Sequence, residues 1–134
     1  MKRLLDTNAW IEVLNRPFGL IGTKLTASLP SEIGLCSITV GELRTGAEKS
    51  NYPDANRVKV DDLVQQYGCL PFDADSADWY GRIRAQLERI GTPIGFHDTQ
   101  IAAIAMYHNL IVVTHNTREF SRVPGLAIED WQVP

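Results

Sequence analysis

The sequence predicts an α/β fold, with a central, mostly parallel sheet of four to five strands and helices on both of its faces. Three observations predict it. Short apolar runs alternate with stretches of helical periodicity along the whole chain. The run 110–114 is apolar and rich in β-branched residues, which is typical of a strand buried on both faces. The segment 97–108 is helical and almost wholly apolar, as expected of a helix in the middle of a fold.

The elements follow one another in a simple order. The predicted strands are 2–6, 34–38, 69–72, 110–114 and 126–128. The predicted helices are 9–14, 19–28, 39–47, 57–67, 74–90 and 97–108. Helix-breaking residues such as Pro17, Pro53, Gly68 and Pro93 lie between them.

The length and composition are those of a single globular domain. The chain has 134 residues, of which 44% are hydrophobic and 22% are charged, so we expect one domain over 1–134. No stretch approaches the roughly 20 apolar residues of a membrane span. The apolar run after Arg3 is too short for a signal peptide, and we therefore expect a cytoplasmic protein without a membrane partner.

The cysteines and the net charge limit the possible functions. Cys36 and Cys69 each lie in an apolar stretch, and we expect both to be buried free thiols. Neither has the spacing of a zinc site. A net charge of −3 argues against a nucleic-acid ligand, unless clustered acids hold a cation. One divalent ion would change the total to −1, and two would change it to +1.

Several polar residues follow predicted strands or open the helices next to them. They are Asp6, Glu42, Asp98, Asn116 and Glu119. In a parallel sheet such positions can meet at one edge, where α/β folds bind ligands. Clustered carboxylates repel one another unless a cation joins them, and their hard oxygens suit Mg²⁺ or Mn²⁺. Such ions activate water and neutralise charge during phosphodiester cleavage, which favours a nuclease.

Each of these residues also has a purely structural interpretation. Thr39 and Glu42 have the spacing of a capping box, with Thr39 as the N-cap. Asn116 and Glu119 have the same spacing. Asp98 in a first helical turn would interact favourably with the helix dipole. Asp6, which ends an apolar strand, is the hardest to explain by structure alone.

The residues named so far resemble a known family. Segments 4–8 (LLDTN), 37–43 (SITVGEL), 98–103 (DTQIAA) and 113–120 (VTHNTREF) stand in the order of the PIN-domain motifs. The chain is similar to VapC, the toxin family of bacterial VapBC toxin–antitoxin pairs. Segments 46–50, 91–95 and 128–131 resemble the enteric branch of these toxins. The resemblance covers essentially the whole chain.

The resemblance implies a single PIN domain with metal-dependent endoribonuclease activity. Asp6, Glu42 and Asp98 match the family acids that hold the catalytic ion or ions. Many members have an acid where Asn116 stands, so either Glu119 or Asn116 would supply the fourth ligand. The resemblance leaves open whether one or two ions bind. Three neighbouring residues would orient the acids or contact substrate, namely Thr7, Asn8 and Thr114.

The resemblance also implies a substrate and partners. The substrate would be RNA, most specifically initiator tRNA cut in the anticodon stem-loop, with inhibition of translation as the result. A homodimer would bind the VapB antitoxin as a heterotetramer or hetero-octamer, and would reach promoter DNA only through VapB. The RNA groove would be lined by basic residues, for which the candidates are Arg44, Lys49, Arg82, Arg84 and Arg89. Trp10 would belong to the core or to the dimer interface, and His115 is a candidate substrate contact.

Two other functions compete with this one. In a phosphotransfer or phosphatase fold, the Asp after the first strand becomes phosphorylated. Such folds need a further acid beside that Asp and a late Lys, whereas Thr7 follows Asp6 and no Lys occurs after Lys59. In a catalytically weak PIN domain, the protein would serve mainly as a module that binds RNA or protein. Asn116 is the best argument for that second alternative.

Overall fold

The computed structural model describes residues 1–134 and contains four strands and seven α-helices. The strands are β1 (Arg3–Leu5), β2 (Ile33–Gly34), β3 (Ile111–Val113) and β4 (Ile128–Glu129). The helices are α1 (Thr7–Asn15), α2 (Leu20–Thr26), α3 (Ser37–Lys49), α4 (Pro53–Tyr67), α5 (Ala74–Arg89), α6 (Phe96–His108) and α7 (Thr117–Phe120). A short 3₁₀ turn, Pro30–Glu32, precedes β2. None of the helices is long and apolar enough to cross a membrane.

The four strands form one parallel sheet in the order β2-β1-β3-β4. The two strands that lie beside each other in the centre come from opposite ends of the chain, since Arg3 is paired with Ile111 and Leu5 with Val113. This confirms the predicted parallel sheet. It also brings the residues that follow β1 next to those that follow β3, because parallel strands end at the same edge.

Successive residues of the central strands face opposite sides of the sheet. Leu4 and Val112 belong to a core that also contains buried residues of α5, α6 and α7. Leu5 and Val113 belong to a second core, formed with α1, α2, α3 and α4. Helices therefore cover both faces, as predicted. The segment Ile101–Ala105 is buried throughout, which confirms that α6 lies inside the fold.

A close backbone approach fixes the start of α2. Gly22 faces the carbonyl oxygen of Pro17, and a Cβ atom at Gly22 would lie only 2.1 Å from that oxygen. Because no side chain fits there, only glycine allows the loop to pack against the helix at this distance. On the same side of the sheet, Trp10 is fully buried and packs against Tyr67, with ring centroids 5.0 Å apart. Trp10 is therefore a core residue.

The predicted strand 69–72 is wrong. Only Leu70 makes a strand-like contact there, as a single parallel bridge with Cys36. Leu70 donates its N–H to the carbonyl of Leu35 and accepts from the N–H of Ser37, both at 2.8 Å. The ladder ends at this point because Pro71 has no N–H to donate and because α3 begins at Ser37. The sheet therefore has four strands.

Three further predictions need correction. Helix α3 begins two residues earlier than predicted, with Cys36 at the N-cap position, so Thr39 is a buried residue of the first turn and not the cap of a capping box. Cys36 is buried as predicted, but Cys69 is exposed, because only the next residue of that segment, Leu70, pairs with the sheet. The final strand is also displaced from 126–128 to Ile128–Glu129.

Candidate active site

A cleft of about 380 Å³ lies between the residues that follow β1 and the residues at the start of α6. It is lined by eight residues, which are Asp6, Thr7, Asn8, Glu42, Gly95, Phe96, His97 and Asp98. None of these eight residues is Lys or Arg. Three carboxylates, from the N-cap of α1, from α3 and from the first turn of α6, thus share one cleft that no lysine or arginine lines.

Asp6 is the most deeply buried acid of the cleft, with only 3% of its surface exposed. It directly follows β1, and its N–H donates to the carbonyl of Val113, so the pairing of β1 with β3 fixes its position. Its carboxylate caps α1 by accepting from the N–H of Ala9 at 2.9 Å. Burial raises the pKa of Asp6, and the charges of Glu42 and Asp130 raise it further, against the lowering effect of hydrogen bonds from Thr114 and Ala9.

Glu42 is held by hydrogen bonds that cross between helices. The Thr7 hydroxyl donates to Glu42 Oε1 at 2.6 Å, and His97 Nδ1 lies 3.1 Å from Glu42 Oε2. Because Thr7 uses its only proton on Glu42, it accepts from Thr39, whose hydroxyl oxygen is 3.0 Å away. The Cys36 thiol in turn donates to Thr39 at 3.7 Å. A buried chain of donors therefore orients this carboxylate, and Glu42 does not act as a helix cap.

Asp98, Asn116 and Glu119 form a second group at the same sheet edge. The Asn116 amide nitrogen donates to Glu119 at 3.0 Å and is 3.5 Å from Asp98 Oδ2. Burial raises the pKa of Asp98 to about 6, and the charges of Asp6, Glu119 and Glu42 contribute to the rise. Asn116 occupies the N-cap position of α7, as its spacing predicts, but its side chain makes no capping hydrogen bond to the helix. In this conformation its amide is a donor between two acids.

Thr114 and Asn8 connect the cleft to a neighbouring depression. Thr114 is buried, its hydroxyl accepts from the N–H of Asn116 at 2.9 Å, and its side chain lowers the pKa of Asp6. Asn8 is exposed and lines both the cleft and the adjoining depression of about 300 Å³. In that depression His115 Nδ1 lies 2.9 Å from Asp130 Oδ2. His115 therefore borders the acid cleft without lining it.

The predicted RNA-binding residues lie on helices around the cleft and not in its wall. Arg44 is paired with Asp61 at 3.0 Å, and Lys49 is exposed in the last turn of α3. Arg82 and Arg84 are exposed on α5, where each packs over an aromatic ring. Arg84 comes nearest to the site, since the ring beneath it is Phe96, a lining residue. Arg89 is exposed at the end of the same helix.

The donor chemistry of the cleft fits a hard divalent cation. Asp6, Glu42 and Asp98 offer only carboxylate oxygens, which Mg²⁺ and Mn²⁺ prefer. However, no three acidic, histidine or cysteine side chains stand close enough together to hold an ion in the conformation observed. Glu42 is turned towards Thr7 and His97. Side-chain rotations within the cleft would therefore have to accompany metal binding.

Sequence reasoning missed three residues of this region. His97 contacts Glu42, Phe96 forms part of the cleft wall, and Asp130 adds its charge to the field at Asp6. His97 and Phe96 immediately precede a candidate ligand at the start of α6, and that position could have singled them out. Asp130 follows the last strand of the parallel sheet, so the rule that residues after parallel strands share one edge could have singled it out as well.

Comparison with known proteins agrees with the geometry. The family model described as "PIN domain" matches residues 3–126. The tRNA(fMet)-specific endonuclease VapC of Salmonella typhimurium is 40% identical to the chain, over 98% of each sequence. The DNA-bound VapBC complex from the same organism superposes with a TM-score of 0.92 at 40% identity, covering 98% of both chains. VapBC2 from Rickettsia felis bound to a promoter DNA fragment gives a TM-score of 0.89 at 32% identity, covering 98% of this chain and 99% of the other.

These matches extend over almost the entire chain, and they agree with the order of the four sequence motifs and with the parallel sheet. The family to which they point consists of ribonucleases that depend on a divalent metal ion, which accords with the carboxylate chemistry of the cleft. The chain belongs to the VapC family of PIN-domain ribonucleases.

Proposed function

We propose that this protein is the toxin of a VapBC pair, and that it inhibits translation as a Mg²⁺-dependent endoribonuclease that cuts initiator tRNA in the anticodon stem-loop. The observation that carries the proposal is the grouping of Asp6, Glu42 and Asp98 in one cleft that no Lys or Arg lines. Burial and repulsion between neighbouring carboxylates raise the pKa values of Asp6 and Asp98. A cation bound in the cleft would supply the positive charge that stabilises their ionised forms.

Asp6, Glu42 and Asp98 would hold the ion, with Glu119 or Asn116 completing the set, and Mn²⁺ would substitute for Mg²⁺. A divalent ion bound there supplies positive charge at the scissile phosphate and lowers the pKa of coordinated water. Asp6 is the natural anchor, because its backbone is tied to β3 and its side chain to α1. Thr7 holds Glu42 in place, which restricts the rotations open to this carboxylate.

The remaining polar residues tune the acids. Thr114 stabilises the ionised form of Asp6 through its hydrogen bond, and Asn116 does the same for Asp98. Asn116 also donates to Glu119, and it thereby separates two carboxylates that would otherwise face each other unscreened. We propose that Glu119 is the more suitable fourth oxygen ligand, because the Asn116 amide turns its nitrogen towards the acids in the conformation observed.

The substrate and partners follow the relatives. The Salmonella relative is described as specific for tRNA(fMet), and two of the solved neighbours are VapBC complexes bound to DNA. We propose that residues 1–134 work as one PIN domain in a homodimer, that a VapB antitoxin binds it as a heterotetramer or hetero-octamer, and that promoter DNA is reached through VapB. Because an enzyme that cuts tRNA works where translation takes place, we propose that this protein is cytoplasmic.

Cleavage of a purified anticodon stem-loop tests the proposal. With Mg²⁺ we expect cuts that leave 5′-phosphate and 3′-hydroxyl ends, and we expect EDTA to abolish them and Mn²⁺ to restore them. Asp6→Asn should lower the rate by at least about 100-fold, as loss of a group that acts on the transition state does. The matched control is Asp62→Asn, an exposed carboxylate on α4 away from the cleft, which should cut at the rate of the unchanged protein.

A catalytically weak binding module is the second candidate, and two observations favour it. Asn116 stands between Asp98 and Glu119 as a neutral donor, and no preformed group of three ligands is present. This candidate predicts that folded protein binds the stem-loop tightly, with and without Mg²⁺, and leaves it intact after long incubation. Such a result, with equal binding by Asp6→Asn, would replace the enzyme proposal.

A further inference from the structure

We propose that Phe96 is a stacking surface for an unpaired nucleobase of the RNA that lies in the acid cleft. The inference rests on the proposed ribonuclease function. It adds a residue that would select the substrate and that is not needed for metal binding by the acids. Phe96 is the first residue of α6, two positions before Asp98, and its side chain forms part of the cleft wall.

Phe96 is unusual because it is a large aromatic residue exposed beside charged groups. It is 63% exposed and is not a member of either core. Packing within the domain therefore does not explain why a phenylalanine stands here, because most of its apolar surface stays in contact with water and contributes little to folding stability. A ring that stays exposed at the wall of a cleft for RNA is available to a ligand with a flat apolar face.

Arg84 holds the Phe96 ring from one side. Its guanidinium carbon is 4.7 Å from the centroid of that ring, which is within cation–π distance. Arg84 is itself fixed, because its Nε donates to Glu88 at 2.8 Å and another nitrogen donates to the Tyr80 hydroxyl at 3.1 Å. The ring is thus supported on one face by an ordered cation, while most of its remaining surface is open.

A nucleobase is the ligand that fits this arrangement. Single-stranded loops present unstacked bases, and proteins hold such bases on aromatic rings and on arginine planes. A phosphate bound through the acids of the cleft would place a neighbouring base beside the wall that contains Phe96. Arg84 would add a positive charge close to an RNA backbone that the acids repel. The same ring is less suited to a phosphate, since it offers no hydrogen-bond donor.

The chain offers a matched control in Phe18. This residue is 96% exposed but lies in the loop before α2, outside the cleft, and has no arginine stacked on it. If any exposed phenylalanine strengthened RNA binding through general stickiness, Phe18→Ala and Phe96→Ala would behave alike. If the position beside the acids matters, only Phe96→Ala will weaken binding.

The test is a titration of anticodon stem-loops that carry single 2-aminopurine substitutions in the loop, a base whose fluorescence falls on stacking. Protein with Asp6→Asn is used, in EDTA, so that cutting does not interfere with the titration. We expect quenching at one loop position, its loss in Phe96→Ala, and a Kd about 5- to 100-fold higher, as measured for removal of a base-stacking ring. Phe96→Trp should restore both quenching and affinity, and Phe18→Ala should change neither.

Two results would overturn the inference. The first is unchanged quenching and Kd in Phe96→Ala. The second is a change in oligomeric state of Phe96→Ala by light scattering, which would assign the ring to a contact between subunits. Failure of the nuclease proposal would give a different result. The protein would then never cut RNA, but its Phe96 ring could still quench the 2-aminopurine probe. In cutting protein we expect Phe96→Ala to raise KM more than it lowers kcat.

Discussion

Replacing Asp98 by asparagine should make the metal-free protein more stable, and only above about pH 5. The pKa of the Asp98 carboxyl is about 6 in the folded protein against an ordinary value of 3.8, because burial and the charges of Asp6, Glu119 and Glu42 oppose its ionisation. At a pH between these two pKa values, the Asp98 carboxyl loses its proton in the unfolded chain but keeps it in the folded protein. Folding stability therefore falls as pH rises through this window, and it stays lowered above it.

The size of the effect follows from the two pKa values. The difference between 3.8 and about 6 corresponds to a penalty of about 3 kcal/mol for ionising Asp98 in the folded state. Asp98 is only half-buried, so solvent screening reduces this figure, and we expect Asp98→Asn to gain about 1–2 kcal/mol at pH 8. In a domain of 134 residues, each kcal/mol raises the Tm by about 3–4 °C. Below about pH 4 the gain should vanish.

Urea unfolding in EDTA, measured between pH 4 and pH 8.5, gives the required free energies. Asp62→Asn serves as the control, because its carboxylate is exposed on α4, and it should differ from the unchanged protein by less than about 0.5 kcal/mol at every pH. Excess Mg²⁺ should then stabilise the protein that keeps Asp98 more than the variant, since an ion that binds the folded state stabilises it by mass action. A variant that is less stable at pH 8, or a gain that is independent of pH, would refute the reasoning.

Two further substitutions test the supports of the site and of the fold. Thr7→Val removes the donor to Glu42, and it should lower cleavage by about 10- to 100-fold and stability by about 1–2 kcal/mol. Thr45→Val, at an exposed position of α3 where the hydroxyl bonds only to the carbonyl of Gly41, should leave cleavage unchanged. Gly22→Ala should destabilise the protein by about 1–3 kcal/mol in thermal unfolding, because the new Cβ would lie 2.1 Å from a backbone oxygen. Gly81→Ala, which meets no atom within 4 Å in the middle of α5, should stabilise by about 0.5–1 kcal/mol, and equal effects of both alanines would contradict the packing argument.

Most of the fold could be predicted from the sequence because its elements carry strong local signals. The apolar run of β3 and the apolar helix α6 are buried as their composition requires. The failures lie where tertiary contacts outweigh local patterns. Residues 69–72 look like a strand, but Pro71 and the early start of α3 stop the ladder after Leu70. Thr39 has the spacing of a cap, but its hydroxyl is used by a buried network instead.

The three acids that line the cleft, Asp6, Glu42 and Asp98, could be predicted from the sequence, but sequence reasoning missed Phe96 and His97, and the detailed geometry could not be predicted. Residues that follow parallel strands share an edge, and this rule alone places Asp6 near the residues after β3. Nothing in residue spacing shows that Glu42 turns towards His97, or that Asn116 presents its amide nitrogen to two acids. Those orientations depend on side-chain rotamers that only the assembled neighbours select.

The pairing of β1 with β3 has a consequence for the synthesis of this protein. A nascent chain that has just emerged from the ribosome carries Asp6 and Glu42, but β1 has no central neighbour until Ile111 and the residues after it have been made. Until then Asp98 has no fixed place beside Asp6. Nearly the whole polypeptide must therefore leave the exit tunnel before the proposed cutting centre can assemble, so unfinished copies of the chain should not cut RNA.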